Sequence, residues 1–174
     1  MYVGRRKEFT IMAGQSPKLS TFIANMKSLT GKKLEVGIIG HASDKVKGAE
    51  GLYKGGKLSL GELAIMHEFG TINMPPRSIL QAPLESSEAQ EIIAKVITSD
   101  RFQNQLLYGD PTKALSILGK RLVNFLIKWF KTSGDGSWED LSPEYETRKT
   151  RAGYPAEPLQ TTLQLMEAFE YKVS

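Results

Sequence analysis

The stretch Ala64–Leu80, AIMHEFGTINMPPRSIL, decides how the chain is organised. Just upstream, Ser59 and Glu62 form an S-x-x-E capping box, in which a hydroxyl and a carboxylate each satisfy a backbone N–H at a helix start. Leu60, Leu63, Ala64 and His67 then fall along one side of a short amphipathic helix. Gly70 is placed to end it, because glycine takes a left-handed backbone at little cost. Pro75 and Pro76 hold the next residues extended. Glu68 and Arg77 flank the turn and read as a pair that orients it rather than as catalytic groups. Phe69 and Pro76 are rigid apolar anchors beside them. Anchors with flanking charges are what a specific subunit interface uses.

Working towards the N-terminus, residues 40–57 (GHASDKVKGAEGLYKGGK) are polar and glycine-rich, with Lys45, Lys47, Lys54 and Lys57 against Asp44 and Glu50. A loop this long is functional or disordered. The expectation is a long mobile loop in the free subunit that orders against a partner. Lys33–Ile39 alternates as a strand, with Leu34, Val36 and Ile38 on one face. Pro17–Leu29 has helical spacing of Leu19, Phe22, Ile23, Met26 and Leu29, with Ser16 as N-cap and Gly31 as stop. Residues 1–15 read as a flexible basic arm carrying Arg5, Arg6 and Lys7. Its apolar run is shorter than the ~7–15 residues of a secretory core, so no leader and no membrane span are expected.

Working towards the C-terminus, Leu84–Thr98 predicts a second amphipathic helix, and Asp110-Pro111 caps a long one reaching about Lys131. The long helix is apolar on more than one side, which predicts packing on two faces. Lys131–Trp138 is a turn-rich break. Ser142-Pro143 opens a short helical turn, Arg148–Pro158 reads as a loop, and Thr161–Ala168 is weakly helical. Phe169–Val173 alternates as a strand. Residues 16–174 therefore read as a single α+β domain, a small antiparallel sheet packed against several helices.

The 174 residues are 40% hydrophobic and 24% charged, enough for one buried core. There is no cysteine, which excludes disulfides and thiol catalysis. The net charge of +4 is well short of a dedicated nucleic-acid binder. His67-Glu68 invites a zinc-protease reading, but the second histidine of that motif would fall at Thr71, beyond a helix-breaking glycine. Gly55-Gly56-Lys57 is followed by Leu58, so the phosphate-loop frame fails. Asp135-Gly136 reads as tight-turn chemistry rather than a calcium loop. No catalytic residue, metal site or cofactor is expected. The four loop lysines, with Tyr53 among them, are either a solvated loop or candidate DNA-channel contacts, since phosphate neutralisation needs only clustered cations. Arg148, Lys149 and Arg151 form a second cluster, beside Glu144 and Glu146, that reads equally as an intersubunit ion-pair network.

Three blocks together resemble the virion-morphogenesis proteins of tailed phages, including the Mu-type tail-completion and neck (head–tail joining) families. They are Val36-Gly37-Ile38 with the loop carrying Tyr53; His67-Glu68-Phe69-Gly70-Thr71 with Pro76-Arg77; and Trp138, Leu141-Ser142-Pro143, Pro158-Leu159, Thr162, Leu165, Tyr171 and Val173. Leu163 stands where the resembled pattern commonly has glycine. The resemblance implies a structural, non-enzymatic subunit of the head–tail junction: a neck, tail-completion or tail-terminator protein in the virion, assembled in the host cytoplasm. It implies a homo-oligomeric ring, a hexamer first and a dodecamer second, that meets the connector or head-completion protein on one side and the tail tube or terminator on the other, with no membrane partner. Interface candidates on that reading are His67, Glu68, Phe69, Pro76, Arg77, Trp138 and Tyr171. A DNA-contacting accessory virion protein is the alternative.

Overall fold

The computed structural model describes residues 19–174, and within them the chain forms eight helices and one two-stranded antiparallel sheet. The basic arm and the Ser16-Pro17 helix start lie outside the described residues. Helix α1 (Leu19–Leu29) ends before Gly31, whose φ of +82° turns the chain. Strand β1 (Leu34–Gly37) then pairs with the C-terminal strand β2 (Glu170–Val173), Leu34 opposite Val173 and Gly37 opposite Glu170. The strand stops short of the Ile39 read from sequence, because the chain turns at Gly40, whose N–H meets the Glu170 carboxylate.

Helix α2 (Leu60–Phe69) starts at the predicted capping box: Ser59 Oγ accepts from Glu62 N at 3.2 Å, and Glu62 Oε2 accepts from Ser59 N at 2.7 Å. The helix expected over 84–98 is two, α3 (Gln81–Glu85) and α4 (Ser87–Ile97). The extended Ser86 between them caps α4, its Oγ accepting from Ala89 N at 3.2 Å. Helix α5 (Asp100–Leu107) was not anticipated; Ser99 caps it and Phe102 is its one buried side chain. Helix α6 (Pro111–Lys131) begins at Asp110, whose carboxylate accepts from Thr112 N at 2.9 Å. Helix α7 (Pro143–Arg151) runs further than the sequence reading, and α8 (Gln164–Glu167) is a single turn.

The apolar residues of α6 face two ways, as their spacing predicts. On one side Leu126 and Phe130 join Leu60, Ala64, Ile79, Trp138, Leu165 and Phe169 in the main core. Phe130 meets Trp138 and Phe169 edge-on, at centroid distances of 5.6 and 6.0 Å. On the other side Ala114 packs with Val96 and Phe102. Gly119 lets β2 lie close on α6, because a Cβ there would fall 2.5 Å from the Tyr171 ring.

The expectation of a long mobile loop over 40–57 is corrected. Val46 and Ala49 are buried, and Val46 exchanges backbone bonds with Leu58 and Gly56. The side-chain amide of Gln164 clamps Lys47 from both sides, its oxygen accepting from Lys47 N at 2.7 Å and its nitrogen donating to Lys47 O at 3.3 Å. The glycine content has a steric role: the chain crosses itself so closely at Gly48 and Gly55 that a Cβ on Gly55 would lie 2.3 Å from Gly48 N.

Candidate functional site

The turn after α2 is a tight hairpin. Thr71 N donates to Met74 O at 2.8 Å and Met74 N to Thr71 O at 3.2 Å, leaving Ile72-Asn73 at the tip. Gly70 enters it at φ +73°, ψ −177°, a region open essentially to glycine alone. A Cβ at that position would lie 2.8 Å from Met74 O and 2.9 Å from Pro76 N. The pleat beyond the helix therefore requires this residue on two independent grounds.

Behind the hairpin, Glu68, Arg77 and the two indoles are committed to holding residues 77–81. Arg77 N donates to His67 O at 2.6 Å. The Glu68 carboxylate accepts from Ser78 Oγ at 2.5 Å and from the backbone N–H groups of Ile79, Leu80 and Gln81 at 2.8, 2.9 and 2.9 Å. It is thus the anionic cap of α3, favourably placed against the unpaired N–H groups of a helix start. Ser78 O accepts from both indoles, Trp129 Nε1 at 3.1 Å and Trp138 Nε1 at 3.2 Å. The Arg77 guanidinium, buried at 4% exposure, donates to Glu139 O at 3.1 and 2.8 Å and to Asp140 O at 3.3 Å. Burial lowers its pKa from the ordinary arginine value, against a pull upward from Glu139 and Asp140.

Glu68 and Arg77 are therefore not an ion pair, which corrects the sequence reading. Each instead binds backbone, Glu68 locally and Arg77 across 62 residues of sequence. Sequence spacing could not have located Glu139 and Asp140 as partners, since carbonyl acceptors carry no residue signature. His67 is buried beside Arg77 with no hydrogen-bond partner for Nδ1. Desolvation first, and the Arg77 charge second, push its pKa down to about 4, so the ring is neutral.

The interface candidates divide. His67, Arg77 and Trp138 are buried within the subunit and support the turn from behind, and Glu68 and Tyr171 are half-buried. Pro76 is exposed, and Phe69 is 69% exposed. Sequence reasoning missed two neighbours of Phe69. Ile65 lies one turn earlier on the same face of α2, and Ile72 at the hairpin tip is 98% exposed. Helix α2 is apolar on its outer side as well as its inner one, and this outer apolar face is the signal the sequence offers.

Lys45, Lys47, Lys54 and Lys57 are all exposed. Their loop touches the end of α7, where a Cβ on Gly51 would lie 3.3 Å from Ala152. Arg148 sits over the Tyr145 ring at 5.0 Å and, like Arg151, is exposed. Lys149 is not part of an intersubunit network: it is buried, and its Nζ donates to Glu157 O. Asp135 and Gly136 have φ values of +55° and +77°, the geometry of a tight turn. Among the described residues, no group of three or more His, Asp or Glu side chains is placed to hold a metal ion, and no helix is long and apolar enough to cross a membrane.

Comparison with family models, with curated proteins and with solved structures found no match to this chain.

Proposed function

We propose that this chain is a structural subunit of the head–tail junction of a tailed phage, a neck, tail-completion or tail-terminator protein that assembles as a ring. The observation that carries the reading is the hairpin at 69–76. It presents Phe69, Ile72 and Pro76 to solvent on a backbone fixed by Gly70, the Glu68 cap and the Arg77 clamp. Exposed apolar side chains on a rigid support bind without first losing conformational freedom. Polar groups that only tie backbone suit a subunit whose work is assembly.

Two features support the choice of family. The blocks that carry the resemblance meet in space, since Trp138 and the carbonyls after it hold Ser78 and Arg77, and the Val36 and Tyr171 blocks pair in one sheet. Leu163, where the resembled pattern has glycine, has a φ of +56°, the left-handed backbone glycine adopts freely. The test is a double substitution of the exposed residues, Phe69→Ser with Ile72→Ser. Unchanged thermal unfolding together with loss of joined particles supports the reading; normal particle yield contradicts it.

A second reading has its own observation. Four exposed lysines lie on the loop that touches the end of α7 at Gly51 and Ala152, and the exposed Arg148 and Arg151 lie on or at the end of that helix; exposed cations of this kind suit the phosphate backbone of DNA. A steep fall of DNA affinity with salt would favour a DNA-contacting accessory role.

A further inference from the structure

Among the described residues, the two-stranded sheet has an unpaired edge on each side. Lys33 and Ser174 exchange both backbone bonds, Lys33 N to Ser174 O at 2.8 Å and Ser174 N to Lys33 O at 3.0 Å. The antiparallel pattern alternates from there, so Glu35 with Lys172 and Gly37 with Glu170 are the bonded pairs. Leu34 and Val36 then direct their N–H and C=O groups away from β2, and Tyr171 and Val173 direct theirs away from β1. Among the described residues none of these four has a further backbone partner. One face of the sheet packs on α6, while Glu35 and Lys172 lie exposed on the other.

We propose that these edges join copies of the chain head to tail, β2 of one subunit pairing antiparallel with β1 of the next. The choice of a second copy as occupant rests on the ring reading above and on complementarity. The edges lie on opposite sides of one subunit, so each copy donates on one side and accepts on the other, the heterologous contact that closes into rings. Side chains alternate faces, so the apolar face stays on the α6 side only in registers shifted by an even number of residues. Pairing Leu34 with Val173 and Val36 with Tyr171 keeps that face and sets Glu35 of each copy against the neighbour's Lys172. A row of alternating charges then runs across the joined sheets. Like-charged edges would repel.

The absence of native cysteine makes the test clean. Two variants, Glu35→Cys and Lys172→Cys, are purified separately, mixed at the highest soluble concentration and oxidised, with assembly followed by mass photometry. The expected result is a disulfide-linked mixed dimer, absent from either variant alone. Adding Leu34→Pro, which removes an outward-facing N–H at the first residue of β1, outside both core clusters, should abolish that dimer while leaving the melting temperature of the monomer near its original value. Multimers without the mixed cross-link overturn this inference but leave the ring reading standing. A dimer from Glu35→Cys alone means a symmetric edge contact and overturns the head-to-tail arrangement. A chain that remains monomeric throughout overturns self-pairing by these strands.

Discussion

His67 and Glu68, adjacent in sequence, do opposite things with charge. His67 is kept neutral by burial beside Arg77, with its pKa near 4 against 6.5 for a free side chain. The unfolded chain therefore takes up a proton at a pH where the folded chain does not, so the His67 contribution to stability falls as pH drops from about 6.5 to about 4 and is constant above that window. The linkage is worth up to roughly 3 kcal/mol for a shift of this size. Urea unfolding between pH 4 and 7 checks it, and His67→Gln should flatten the acid limb. Glu68 accepts three backbone N–H groups and one hydroxyl. Glu68→Ala should cost about 2–4 kcal/mol, since three partly buried donors and one exposed donor lose their acceptor at once. Glu68→Gln, which keeps one acceptor oxygen, should cost less, and denaturant midpoints distinguish the two.

At the scale of elements, two backbone positions make contrasting predictions. Gly70→Ala forces a Cβ against Met74 O and Pro76 N at a φ of +73°, and should destabilise by at least about 2 kcal/mol. Leu163 is left-handed without being glycine, and it is not part of the main core. Leu163→Gly should therefore stabilise by about 0.5–1 kcal/mol, the relief of the left-handed strain less the entropy of a new glycine. Thermal unfolding of both variants reads these signs directly. The helix starts at Ser59, Asp110 and Ser142 were legible in sequence because each cap is a local contract between residues two or three apart. Helix α5 was not, because DRFQNQLL offers only Phe102 and Leu106 to the neighbouring core. The single helix read over 84–98 is broken because Ser86 ends one helix and caps the next, and periodicity alone passes over it.

At the scale of the molecule, the blocks that sequence separates by about sixty residues are one structural unit: the hairpin, its Trp138 support and the Arg77 clamp. The sequence pointed to the hairpin as the feature of interest, and Phe69 and Pro76 are indeed at its surface. It could not separate contact residues from supports, because His67, Arg77 and Trp138 are buried by partners far along the chain. The order of the lysine loop is hidden from sequence for the same reason, its tether Gln164 lying 117 residues from Lys47. The proposal that this subunit joins heads to tails is tested most directly by electron microscopy of lysates from a tailed phage in which its gene is disrupted. Separate DNA-filled heads and free tails are the predicted result, with tail length distinguishing terminator from neck. Intact particles with normal head–tail joints would contradict the account.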